Sequence, residues 1–107
     1  MKNVMKNVMK NSILLTDIIE RIKGIPSTDI NGDVVMMHVE KGKYFGLDSV
    51  GSRIWELIAG PQVVKDIILV LLEEYEVEES TCQEQVLEFV NLLHREGLII
   101  RTRENVG

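Results

Sequence analysis

The sequence predicts an α+β fold: a three-stranded antiparallel β meander followed by three helices. Two observations carry this. Asn31-Gly32 and Lys41-Gly42 punctuate three short extended stretches, and beyond residue 48 apolar residues recur at three- and four-residue spacing in three separate runs. With 107 residues, the chain has room for one domain with a small core.

The elements follow in order. Residues 1–11 repeat Met-Lys-Asn-Val with a period of four, and residues 12–26 carry Ile13, Leu14, Leu15, Ile18, Ile19 and Ile22 at mixed spacings that fit either a short helix or an extended arm. Residues 1–26 are therefore read as an N-terminal tail or arm, partly disordered, with residues 27–103 as the domain and 104–107 as a C-terminal tail. Asn-Gly supplies the positive φ angles of a tight hairpin turn. Val34 to Val39 then make a second strand, and Tyr44 to Leu47 a third beyond Lys41-Gly42. Asp48 or Ser49 is placed to cap a first helix with Val50, Ile54, Leu57 and Ile58 on one stripe, ended by Gly60-Pro61. A second helix carries Val63, Val64, Ile67, Ile68, Leu71, Leu72 and Tyr75. The third is expected to be capped by Ser80 or Thr81, with Thr81 and Glu84 in capping-box spacing, and to end at Gly97. Leu98, Ile99 and Ile100 form a short extended end.

Charge excludes some functions. The chain has 12 Lys plus Arg against 17 Asp plus Glu. The helical order is similar to a winged helix-turn-helix built with its sheet first, and a DNA-reading helix in that setting needs Lys and Arg for the phosphates. No Lys or Arg lies between Lys65 and Arg95, whereas Glu73, Glu74, Glu76, Glu78, Glu79, Glu84 and Glu88 do, so no nucleic-acid partner is expected. The longest apolar run, residues 67–72, is far short of a membrane span, so no membrane is expected either. The single cysteine, Cys82, allows no intrachain disulfide, and a cytoplasmic setting fits best.

Catalysis has no visible constellation. Cys82 and His94 fall on one predicted helix twelve residues apart, about 18 Å of rise and about 120° of rotation, and cannot meet. His38 sits among apolar strand neighbours. No metal-ligand spacing or glycine-rich phosphate loop occurs, so the chain is read as a non-enzyme without metal or cofactor. Two features point to binding instead. The strand at Lys43 to Leu47, last of its meander, is a candidate sheet edge for an incoming peptide. Residues 67–72 are apolar all round, which leaves Leu69 and Val70 as candidate contacts for a partner protein.

Residues 32–98 resemble the PqqD family of peptide chaperones, the RiPP recognition elements, and among them the stand-alone leader-binding proteins of lasso peptide biosynthesis. The resemblance rests on Lys43-Tyr44-Phe45-Gly46-Leu47-Asp48 leading into Ile54-Trp55-Glu56-Leu57, then Val63, Ile67, Leu71 and Tyr75, then Val86, Phe89, Leu93 and Gly97-Leu98. It implies a protein that binds the leader segment of a ribosomally made precursor as an added strand on the third strand, against the third helix. A separate leader peptidase, a cysteine protease subunit, and a cyclase would then act. The expected leader contacts are Lys43, Tyr44, Phe45, Gly46, Leu47 and Asp48 on the strand and Gln85, Val86, Phe89, Val90 and Leu93 on the helix. Strand alternation puts Tyr44 and Phe45 on opposite faces and assigns Phe45 and Leu47 to the core. An edge that accepts a peptide also accepts a second copy, so self-association stays open. The rival readings are a non-catalytic winged-helix adaptor or a dimeric regulator, either of which binds a folded protein and no short peptide.

Overall fold

The computed structural model describes residues 12–103. The repeat at residues 1–11 and the predicted tail at 104–107 lie outside them. The strands are β1 (Ile18–Arg21), β2 (Ser27–Ile30), β3 (Asp33–His38), β4 (Lys43–Gly46), β5 (Gln62–Val63) and β6 (Ile99–Thr102). The helices are α1 (Ser49–Leu57), α2 (Val64–Glu74) and α3 (Glu79–Arg95).

The predicted meander is present as a sheet in the order β2-β3-β4. Its first turn has Asn31 at φ 57° and Gly32 at φ 91°, both in the left-handed region that a two-residue hairpin needs, and the Asp29 carboxylate accepts the Gly32 N–H at 2.8 Å. Lys41-Gly42 makes the second turn, with Gly42 at φ 65° donating its N–H to the His38 carbonyl at 2.8 Å.

A second antiparallel sheet, ordered β5-β1-β6, was not expected, and the simple meander-then-helices description is corrected by it. Strand β1 lies at its centre: Ile18 pairs with Val63 on one side and with Thr102 on the other. The domain boundary at residue 26 therefore moves, because Ile13 and Ile19 belong to the buried core. Of the two conformations the sequence allowed for this stretch, residues 18–21 take the extended one. The pairing also claims Val63, assigned by its periodicity to the second helix, for a strand.

Helix α1 begins as expected: Asp48 is its N-cap, and the side chain accepts the Gly51 N–H at 2.8 Å. The start of α3 differs. Its N-cap is Glu78, and the hydroxyls of Ser80 and Thr81 donate to the Glu78 carboxylate at 3.1 and 3.3 Å instead of capping the helix. The helix ends at Gly97 (φ 75°), with Gly97 N–H bonded to the His94 carbonyl and Leu98 N–H to the Leu93 carbonyl, the Schellman pattern.

One core joins both sheets and all three helices; Ile19, Met36, Ile54, Ile67, Leu71, Val90 and Leu98 are all fully buried. Ser52 on α1 ties helix to sheet: its hydroxyl accepts the Val34 N–H at 2.9 Å and donates to the Leu47 carbonyl at 3.3 Å. That junction fixes where β4 ends and α1 begins.

Candidate functional site: the β4 edge and the cleft beside α3

Among the described residues, strand β4 pairs only with β3, so its other side is a sheet edge. Leu47 donates its N–H inward to the Val34 carbonyl at 2.8 Å. Alternation along the strand then turns the N–H and C=O groups of Tyr44 and Gly46 outward, as an open ladder. The side chains obey the same alternation. Tyr44 is 74% exposed, Phe45 is half-buried against the core, and Leu47 is buried, as the sequence predicted.

Helix α3 is tied alongside β4 at both ends. At the start of the strand, Lys43 Nζ sits 3.3 Å from the Glu96 carboxylate, and Lys41 Nζ donates to the Glu96 carbonyl at 2.9 Å. The hydrogen bond from Lys43 holds the Glu96 carboxyl below the usual carboxylate range. At the far end, a Cβ built on Gly51 would lie 3.4 Å from the Phe89 ring and 3.4 Å from Leu47 Cβ, so α1, the end of β4 and α3 meet there.

Past that meeting point lies a cleft of about 380 Å³ with mostly apolar walls. Asp48, Val50, Gly51 and Ile54 form one side, Leu71, Tyr75, Glu76 and Val77 a second, and Cys82, Gln85, Val86 and Phe89 a third. Arg53 ties α1 to the end of α2: its guanidinium bonds the Glu74 carboxylate at 2.7 Å and that of Glu56 at 2.6 Å. The bond from Arg53 pulls the Glu74 carboxyl down, so the ion pair at the end of α2 stays ionised. Burial pushes the Cys82 thiol up, opposite to the lowered value a nucleophilic cysteine needs.

A larger hollow of about 540 Å³ lies between β2 and α1, lined by Arg21, Asp29, Arg53 and Trp55 among others. It is more polar, is not lined by α3, and its arginines are engaged. Arg21 donates to the Trp55 carbonyl at 3.2 Å and stands 5.3 Å over the indole, while Arg53 holds Glu56 and Glu74. The smaller apolar cleft is the better candidate.

The predicted site residues divide as follows. Lys43, Tyr44, Gly46 and Asp48 are exposed along the edge, and Gln85 and Phe89 reach the cleft. Val86 lines the cleft while only 3% exposed. Val90 and Leu93 are corrected: at 0% and 1% exposure they are core residues with no surface for a ligand. Phe45 and Leu47 likewise have side chains turned to the core, and their backbone groups face β3, so neither contributes to the open edge. Leu69 is 57% exposed, while Val70 is half-buried. Val50, Ile54, Leu71, Tyr75, Glu76 and Val77 were not anticipated as lining residues. Two of them, Leu71 and Tyr75, lie in the four-residue series that carried the family resemblance, and helical spacing alone assigned them to the core.

Comparison with known proteins agrees with this architecture. No curated protein matches the chain. A solved structure described as "TbiB1 in Complex with the TbiA(beta) Leader Peptide" matches with a TM-score of 0.68 and 32% sequence identity, covering 75% of this chain and 93% of that one. Residues 33–99, from the start of β3 to the start of β6, match the family described as "Coenzyme PQQ synthesis protein D (PqqD)". That match spans more than half of the chain and contains the β4 edge, the cleft and all three helices: the chain belongs to the PqqD family.

Proposed function

We propose that this protein is a RiPP recognition element that binds the leader segment of a ribosomally synthesised precursor peptide of the lasso type. The observation that carries the reading is the likeness to TbiB1, a protein solved with a leader peptide, at 32% identity over 75% of this chain. The open β4 edge gives that likeness a physical basis. An extended leader pairs with the outward N–H and C=O groups of Tyr44 and Gly46, and these backbone bonds supply sequence-tolerant affinity. The wall formed by Gln85, Val86 and Phe89, with the cleft behind it, supplies selection by side chain.

On this reading the protein is not a catalyst. It works in the cytoplasm on a winged-helix-type scaffold, and it presents the bound precursor to a separate cysteine-protease leader peptidase and then to a cyclase. The exposed Leu69 on α2, with Val70 beside it, is the proposed docking point for such a subunit. Leu69→Lys is expected to leave the unfolding midpoint within about 0.5 kcal/mol of the parent, as exposed substitutions do. It should weaken stimulation of the peptidase; unchanged stimulation removes Leu69 from the interface.

The decisive experiment is a calorimetric and amide-shift NMR titration with the synthetic leader of the precursor encoded beside this protein. Saturable binding is expected, with the largest shifts at residues 43–48 and along residues 85–89. Absence of binding up to about 1 mM, barely 4 kcal/mol of affinity, would replace leader binding with the adaptor reading, in which α2 engages a folded partner.

A further inference from the structure

The two ends of the β4 groove carry opposite charge. At the start of β4, Lys41 and Lys43 share a single carboxylate, that of Glu96, at 3.7 and 3.3 Å. Glu40, exposed in the same turn, adds a second carboxylate, and Arg95, exposed in the last turn of α3, a third cation, so three cations against two carboxylates leave this end positive, although the partial negative charge at the end of α3 trims the excess. Beyond the end of β4, Asp48 and Glu76 are, among the described residues, the only charged side chains lining the cleft, and both are acids. Glu78, Glu79 and Glu84 are exposed on the neighbouring start of α3. The positive N-terminus of α1 is already met by its cap, Asp48, and that of α3 offsets about half a charge of Glu78 and Glu79, which leaves the glutamates in excess. Arg53 does not change the sign, because it is committed to Glu56 and Glu74. The negative end is therefore the stronger of the two, and it surrounds an apolar cleft. From Lys43 to Asp48 the strand runs roughly 17 Å at about 3.3 Å per residue, longer than the screening length at physiological salt. The two ends act separately on whatever lies between them.

We propose that this groove selects peptides by charge polarity: the preferred leader is acidic where it passes Lys41 and Lys43, and carries Lys or Arg next to an apolar side chain where it enters the cleft at Asp48 and Glu76. The inference rests on the leader-binding reading and adds the substrate class to it. Backbone pairing along an edge strand does not by itself fix which peptide binds or which way it runs. A charge gradient does both, by repelling the reversed peptide at each end.

The test is selection of a displayed library of random 20-residue peptides on the immobilised full chain, followed by NMR mapping of the enriched peptides. Peptides that shift the amides of Tyr44 and Gly46 are expected to show basic residues toward one terminus and acidic residues toward the other. Synthetic copies with that polarity inverted should bind about threefold to tenfold more weakly, as expected for a few exposed ion pairs, and the difference should vanish in 1 M salt. Selection on the Lys41→Glu/Lys43→Glu/Glu76→Lys variant, checked for folding by circular dichroism, should yield the opposite polarity. Groove-binding peptides with no polarity, or with one unchanged in the variant, overturn the proposal and leave leader binding intact. If no enriched peptide shifts the β4 amides, the leader-binding reading falls, and the polarity rule falls with it.

Discussion

Val90 and Phe89 are neighbours in sequence with opposite roles: Val90 is sealed in the core, and Phe89 stands half-buried at the meeting of β4, α1 and α3. One step along a helix is about 100° of rotation, enough to move a side chain from core to groove wall. His94, near the end of the same helix, has a pKa below the ordinary histidine value, because burial disfavours the imidazolium and Arg101 and Arg103 repel it; Asp17 opposes them more weakly. The unfolded chain therefore binds this proton at higher pH than the folded one. The neutral-His94 contribution to stability is full above about pH 6.5, the unfolded value, and is lost as pH falls through the lower folded value. Urea midpoints measured across pH 4–8 should accordingly fall toward acid less steeply in His94→Gln than in the parent. An identical slope in the two proteins would show that His94 does not contribute.

At the scale of elements, β4 carries two separable sets of backbone bonds, and substitutions can distinguish them. Gly46 turns its N–H outward, and a Cβ added there meets nothing within 4 Å. Proline is tolerated on an edge strand where the missing N–H faced solvent. Gly46→Pro should therefore keep the fold while removing one bond from the open ladder. About 1 kcal/mol of leader affinity, roughly fivefold, is the expected loss. Phe45→Pro removes a bond to β3 and a side chain packed on the core, so it should unfold the sheet. Equal leader affinity in Gly46→Pro and the parent, measured by calorimetry, would mean that the peptide does not add to β4. The cap of α1 belongs to this same junction. Asp48→Ala is expected to cost about 1 kcal/mol in a denaturant titration, since the Gly51 N–H loses its acceptor.

At the scale of the whole molecule, the second sheet holds the two ends of the described chain together. Asp17 is fully buried, accepts the Leu14 N–H at 2.7 Å, and receives Arg103 Nε at 3.1 Å. Arg103 also donates to the Ser12 carbonyl at 2.9 Å, and the Asn91 side chain accepts the Ile13 N–H at 2.9 Å. Asp17→Ala removes the charged acceptor of the Leu14 N–H and of Arg103 Nε, so about 1–3 kcal/mol of stability should be lost, read as a lower urea midpoint. A midpoint unchanged from the parent would mean that this clasp is replaced by water without penalty.

Much of this fold is legible in the sequence. The Asn31-Gly32 turn, the Asp48 cap, the stop at Gly97 and the apolar stripes of the helices are written in residues a few positions apart, where backbone geometry and hydrogen-bonding chemistry act directly. The β4 segment was legible as an edge because no further strand follows it before the helices. The second sheet was not legible. Strand β1 draws its partners from residues 62–63 and 99–102, and a short apolar stretch does not encode which distant strand completes it. The cleft was hidden for a related reason: Leu71, Tyr75, Cys82 and Val86 show the same apolar periodicity whether they face a packed neighbour or an opening. Local chemistry thus set the elements and offered the edge. The long-range packing of α1, α2 and α3 decided which side chains remain available to a ligand, because burial is a property of the surroundings a residue acquires when distant segments meet.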